Sequence, residues 1–267
     1  MLFFNIFESI PKACKMNSTS DFEINNEKPS LITPERGHAK NVSNFQLLIS
    51  FCQNLGTVYN PSNPRLKINQ LELLYALAFE KLNLLLSKKE EFNKHTINRR
   101  KAFEDLKPLA TKITNAFAAS GVDKTALENA KAVNKMIQGV ILKVVSSVDA
   151  NGICTSQQSY DKKITHFETL INILEENPIY CPNENELKVT SLKAKLAYLQ
   201  IHNINLSKSY IEYNDSLHQR NTVLYNPETG MLQTVKEVKQ YVKSVFGANS
   251  LQYHQIGALQ FKVRNGD

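Results

Sequence analysis

Ten residues near position 60 recur near position 180. Tyr59-Asn60-Pro61-Ser62-Asn63-Pro64-Arg65-Leu66-Lys67-Ile68 and Tyr180-Cys181-Pro182-Asn183-Glu184-Asn185-Glu186-Leu187-Lys188-Val189 both read Tyr-x-Pro-x-x-x-x-Leu-Lys-aliphatic, at an offset of 121. The same offset pairs Leu71 with Leu192, Leu85 with Leu206, Phe92 with Tyr213, Asn93 with Asn214, Arg99 with Arg220 and Phe103 with Leu224. Upstream, Phe45-x-x-Leu48-Ile49 matches Phe167-x-x-Leu170-Ile171 after a one-residue gap. Downstream, an offset of 129 pairs Leu109 with Val238, Ile113 with Val242 and Phe117 with Phe246, the change being absorbed at Asn226-Pro227-Glu228-Thr229-Gly230. Such self-similarity constrains architecture more than any local propensity, because each copy must build the same unit.

Each half reads as helices separated by that turn. A short helix is expected near 42–56 and near 159–176, stopped at the Tyr-x-Pro turn because proline disfavours helical geometry in the residue before it. A long helix follows. Positions 192, 196, 199, 203, 206, 210, 213, 217, 220 and 224 keep unbroken 4-3 spacing and carry Leu, Leu, Leu, Asn, Leu, Tyr, Tyr, Leu, Arg and Leu. That is an a/d seam. In the first half the seam is Leu71, Tyr75, Ala78, Leu82, Leu85, Lys89, Phe92, Thr96, Arg99 and Phe103. Neither long segment contains Gly or Pro, and each predicts a helix on the order of 50 Å long. A third helix is expected over about 107–119 and 232–246, with Gly121 and Gly247 just beyond. The first half then predicts another helix from the N-cap Asp123 to about Val145, and the second a two-turn helix from Ser250 followed by an alternating tail, 258–263, that reads as a strand or an extended strap.

The expected fold is therefore all-α: an elongated antiparallel helical bundle of two diverged tandem repeats. Residues 1–39 form an N-terminal tail read as disordered, 40–148 the first repeat, 149–158 a linker and 159–267 the second repeat, the two packing as one unit. Few glycines and prolines (nine each) argue against a turn-rich β chain.

Cys14, Cys52, Cys154 and Cys181 form no Cys-x-x-Cys pair and no disulfide framework, so free thiols in the cytoplasm are expected. The N-terminus lacks the basic start of a signal peptide, and translation beginning at Met16 is an alternative reading of the first fifteen residues. No run of about 18 apolar residues reads as a membrane span.

Arg99 and Arg220 fall on the apolar seam, where a charge must be paired or reach the bundle end. They read as structural arginines, or, with Arg100, as an anion site. Tyr59, Pro61, Tyr180 and Pro182 read as structural parts of the repeated turn, each ring packing beneath its bend. No two of the six histidines lie three or four residues apart, so no helical pair can hold a metal. Glu90-Glu91 and Glu175-Glu176 point to different helix faces. There is no Gly-rich phosphate loop and no Gly-x-Ser-x-Gly elbow. No catalytic residue, cofactor or metal site is expected.

The net charge of +7 is uneven. Residues 81–145 hold 13 basic and 6 acidic side chains, residues 150–187 hold 2 and 6, and residues 188–267 hold 10 and 5. Few of the basic residues are arginine, and no aromatic–basic recognition motif appears, which argues against nucleic acid. Val238-x-x-Tyr241-Val242-x-x-Val245-Phe246 with Lys236, Lys239 and Lys243 is a basic amphipathic segment. It suits either an anionic membrane or partner face, or a core stripe.

The segment Val238-Lys239-x-Tyr241-Val242-Lys243-Ser244-Val245-Phe246-Gly247-x-x-Ser250-x-x-Tyr253-x-Gln255-Ile256 resembles the C-terminal signature of an uncharacterised family of helical proteins from Bacteroidetes-type bacteria. Tyr180-x-Pro182-Asn183-Glu184 and Arg220-Asn221-x-x-Leu224-Tyr225 resemble its middle section. The resemblance covers about 40–262 and implies a bacterial, all-helical protein, with no activity attached.

Three functions fit these features. The first is a non-enzymatic helical scaffold or interaction module that meets a protein partner or itself. The second is a membrane-active helical protein, pore-former-like or a surface binder. The third is a binder or enzyme with an anion pocket between the repeats.

Overall fold

A computed structural model describes residues 36–140 and 159–263. Among them the regular structure is all helical, as the periodicity predicts. The helices are α1 (Arg36–Asn54), α2 (Ile68–Ala102), α3 (Leu106–Ala119), α4 (Lys124–Gln138), α5 (Tyr160–Glu175), α6 (Val189–Tyr225), α7 (Met231–Phe246) and α8 (Leu251–Gly257), with single 3-10 turns at Gly56–Val58, Pro64–Leu66 and Asn185–Leu187. The proposed linker 149–158 and most of the N-terminal tail lie outside the described residues. The first helix begins at Arg36, inside the stretch read as tail, because His38 is buried there and bonds the Tyr225 hydroxyl.

Local chemistry explains the ends. Asp123 caps α4 by accepting from the Thr125 and Ala126 amides, and Ser250 caps α8 through Tyr253 N–H. Helix α4 stops at Gln138, short of the expected Val145, because Gly139 turns left-handed at φ 89° and satisfies the Lys135 and Met136 carbonyls. Between α6 and α7, Asn226 Oδ1 accepts from the amides of Glu228 and Thr229. A Cβ at Gly230 would lie 2.6 Å from the Asn226 backbone, so this turn requires glycine. The third helices align at an offset of 125, not 129: buried Leu106, Ala110, Ile113 and Phe117 then match buried Met231, Val235, Val238 and Val242. Positions four apart share a helix face, so apolar pattern alone could not separate the two registers.

The chain forms two compact units, and neither coincides with a sequence half. One unit contains α3, α4, α5 and residues 189–197 of α6; the other contains α1, α2, the rest of α6, α7 and α8. Each unit thus takes its first helix and Tyr-x-Pro turn from one half, and its third and fourth helices from the other. The turns show the exchange directly. The Tyr59 ring stands edge-on to Tyr241 at 5.3 Å, and the Tyr180 ring edge-on to Phe117 at 5.7 Å. The length of α2 gives the reason. Thirty-five residues end about 50 Å from where they start, so α3 cannot return to the turn before α2. Helix α6 runs antiparallel to α2 and delivers α7 to that turn instead.

The antiparallel register is set by Lys88 with Glu212 at 2.6 Å, Phe92 with Tyr210 and Tyr213, and Arg99 with Asn203 at 3.1 Å. The predicted seams are the inner faces of the pair. Every seam position of α6 is buried or half-buried, and on α2 only Thr96 is exposed.

Two outcomes follow. Leu206→Ala, at 0% exposure, should cost about 2–5 kcal/mol in denaturant unfolding, whereas Leu73→Ala, at 63%, should stay within about 0.5 kcal/mol; equal effects would mean the seam is misassigned. A protease site engineered into residues 141–158 should yield, after cutting, two fragments that co-elute natively and separate only in denaturant. Fragments that part without denaturant would contradict the exchange.

Candidate interaction surfaces and the buried arginines

The seam arginines are buried as the pattern implies, Arg99 at 9% and Arg220 at 2% exposure. Their described partners include asparagines. Arg99 Nη1 donates to Asn203 Oδ1, a seam position of α6, so the two form a polar layer between the helices. Such a layer disfavours sliding, because any shift would leave both groups against hydrocarbon. The same register places Leu82 opposite Arg220, whose Nε and Nη2 instead reach Asn221 Oδ1 at 3.1 and 2.8 Å. Arg100 is exposed and, one residue on, lies about 100° round the helix from Arg99, so the two do not converge. A crevice of about 300 Å³ lies between α1 and α8, lined by Phe51, Leu55, Leu251 and Ile256 with the amides of Asn54, Gln252 and Gln255. No arginine borders it.

The repeated turn is built as the sequence suggests. Tyr59 and Tyr180 are buried and donate from Oη to the carbonyls of Leu66 and Leu187, seven residues on, at 2.8 and 2.9 Å. Pro61 is buried and Pro182 half-buried. Burial pushes the Tyr180 phenol up to about 12. It also pushes the Cys52 thiol beside Tyr59 up to about 12, which makes that cysteine a poor nucleophile.

The basic segment of α7 divides by face. Val238 and Val242 are fully buried, so its apolar side is core, and Phe246 packs half-buried against the same cluster. Lys236 and Lys243 are exposed, and Lys243 lies over the Tyr253 ring. Lys239 turns inward. It donates to the carbonyls of Leu259 at 2.8 Å and Gly257 at 3.4 Å, stands 5.4 Å from the Phe261 ring, and has its pKa lowered by burial. It therefore caps α8 and holds the residues that follow.

Those residues, 258–263, form no strand but an extended strap on α1. Asn41 donates to the Lys262 carbonyl at 2.8 Å and accepts from the Lys262 amide at 3.1 Å, as a neighbouring strand would. Asn44 donates to the Gln260 carbonyl at 2.7 Å. Sequence reading missed Asn41 and His38. Their only signal was two polar residues on an otherwise apolar helix face.

Sequence reading also missed a set of large apolar side chains left in water on the long helices. Phe79, Leu86 and Ile97 on α2 are 49%, 41% and 45% exposed, and Ile201, Ile204 and Ile211 on α6 are 57%, 63% and 60%. The seam uses one face of each helix, and these residues lie outside it.

Among the described residues no group of three His, Cys, Asp or Glu could hold a metal ion, and no helix is long and apolar enough to cross a membrane.

Asn41→Ala should cost about 1 kcal/mol, because it removes two part-buried bonds to the Lys262 carbonyl and amide, and Asn44→Ala should cost less, since its bond is exposed. Faster proteolysis at the C-terminus of the Asn41 variant, with α1–α7 intact, is the accompanying readout; identical melting and proteolysis would show that the strap is not held there. No family model matches the chain, and neither a curated protein nor a solved structure matches it.

Proposed function

We propose that this chain is a non-enzymatic helical scaffold or protein-interaction module of the bacterial cytoplasm, made by tandem duplication. One observation carries the reading: the long helices offer large aliphatic side chains to solvent, with Ile204 and Ile211 about 60% exposed, while the arginines, tyrosines and Lys239 are committed to internal contacts. Contiguous apolar surface on a folded chain marks a docking site. The buried Cys52 thiol, with Cys52 and Cys181 both free, supports a reducing compartment.

The membrane reading is supported less, because the apolar side of the basic α7 segment is occupied by the core. The anion-pocket reading has buried arginines in its favour, but Arg220 is nearly inaccessible at 2% exposure.

Two measurements test the proposal. The full chain mixed with neutral and anionic phospholipid vesicles should stay in the supernatant at low and high salt. A photo-crosslinking residue at Ile204, in cells of the source organism, should give discrete protein adducts. Salt-sensitive sedimentation with anionic vesicles and no adduct would move the function to the membrane surface.

A further inference from the structure

Five of the exposed apolar residues share one face. On α2, Phe79, Leu86 and Ile97 lie in a line about 100° ahead of the seam, in the sense of chain progression. On α6, Ile204 and Ile211 lie about 130° ahead of theirs. In antiparallel helices equal leads point to one common side, so the two lines flank each other. The register gives the pairing along the axis. Arg99 with Asn203 sets Ile97 level with Ile204, and Lys88 with Glu212 sets Ile211 near the level of Glu90, with Leu86 about one turn further along. The face therefore carries an apolar layer at Ile97 and Ile204, with Ile211 about 7 residues or 10 Å along the axis from it and Leu86 about 11 residues or 16 Å along.

Its other residues are also distinctive. Asn93 and Ser207 fill the spaces between these residues, Asn83 and His218 lie beyond Leu86 toward Phe79, and all four are exposed. Glu90, Lys94, Lys208 and Asp215 stand on the face or its rim, exposed, and none belongs to an ion pair among the described residues. Two acids and two bases make the face locally neutral within a chain of net charge +7. An apolar centre with few charges and a mixed rim has the make-up of a protein interface, and an anionic lipid surface would favour a basic one.

We infer that this α2–α6 face docks onto the same face of a second copy of the chain, closing an antiparallel four-helix layer. Three observations select a second copy. It presents the same line of apolar residues, so a two-fold axis along the helices sets every apolar level against its own copy. It brings balanced charges to a balanced rim, so the net basic charge does not oppose contact there. The face between Phe79 and Ile97 is about 27 Å long and two helices, about 20 Å, wide, on the order of 550 Å² in projection. Side-chain relief raises that toward the roughly 800 Å² per partner of a stable interface. A pair of helices joined along one seam has only one dry side, and a second copy supplies the other, as in helix bundles. The inference rests on the interaction-module reading above and names its partner.

Sedimentation equilibrium of the full chain tests it. The wild type should sediment at about twice the monomer mass at micromolar concentrations. The pair Ile204→Lys with Ile211→Lys should weaken association about a hundredfold or more while leaving the helical circular dichroism unchanged, since both side chains are exposed in the single chain. The pair Leu86→Ser with Ile97→Ser does the same from the other helix, should the lysine variant fail to fold. Leu73→Lys, exposed but off this face, should leave the dimer intact. A wild-type monomer, or variants that stay dimeric, overturns the inference. A monomer that still gives an adduct with another protein at position 204 overturns self-association and leaves the interaction-module reading standing; a monomer with no adduct removes both.

Discussion

The pairing of α2 with α6 is what the rest of the described structure depends on. Neither helix can be stable in water alone at this length without burying its stripe, because propagation gains little per residue and tertiary contact supplies most of the stability. Pairing buries both seams, and it does so in antiparallel register. The ion pair of Lys88 with Glu212, the stacked rings of Phe92 and Tyr213, and the polar layer of Arg99 with Asn203 hold that register along the pair. Antiparallel pairing then decides where the chain goes next. It returns α7 to the start of α2, where Tyr59, Leu66 and Leu71 need a cover.

From that follows the exchange of third helices between the sequence halves. A sequence pattern that recurs in two halves usually suggests two self-contained modules in a row. Here the long helix in each half is longer than the distance over which its own third helix could fold back. The turn tyrosine meets its aromatic partner from the other half in both units, so neither half carries a complete core of its own. The strap 258–263 extends the same logic. A segment at the far end of the sequence is hydrogen-bonded to α1 at its near end, through an asparagine side chain standing in for a strand.

The side chains that looked most like a functional site are largely consumed by this architecture. The seam arginines bond to asparagines inside the pair, Lys239 caps α8, and the valines of α7 are core. The side chains left over are aliphatic and lie on the outer faces of the long helices. A helix has several faces, and pairing along one seam covers only part of its circumference. The residues on the remaining arc, Ile204 and Ile211 among them, stay in water in the single chain.

Much of this was legible in the residues. The 4-3 spacing of leucines predicted two long helices and their inner faces, and burial agrees at almost every seam position. The repeated Tyr-x-Pro turn predicted two equal structures, and both tyrosines make the same bond. Helix ends at Asp123, Ser250 and the left-handed glycines follow local rules. What lay beyond reach had one common cause: it depended on which elements meet. Periodicity cannot tell residue i from i+4, so the third helices were aligned one turn out. A basic amphipathic stripe has the same pattern whether core or lipid covers it. Sequence by itself determined the helices and the face each must bury, because those depend on neighbours a few residues away. Only the tertiary structure decided which half completes which core, what Arg99 bonds and which isoleucines remain in water, because those depend on chain segments brought together across more than a hundred residues.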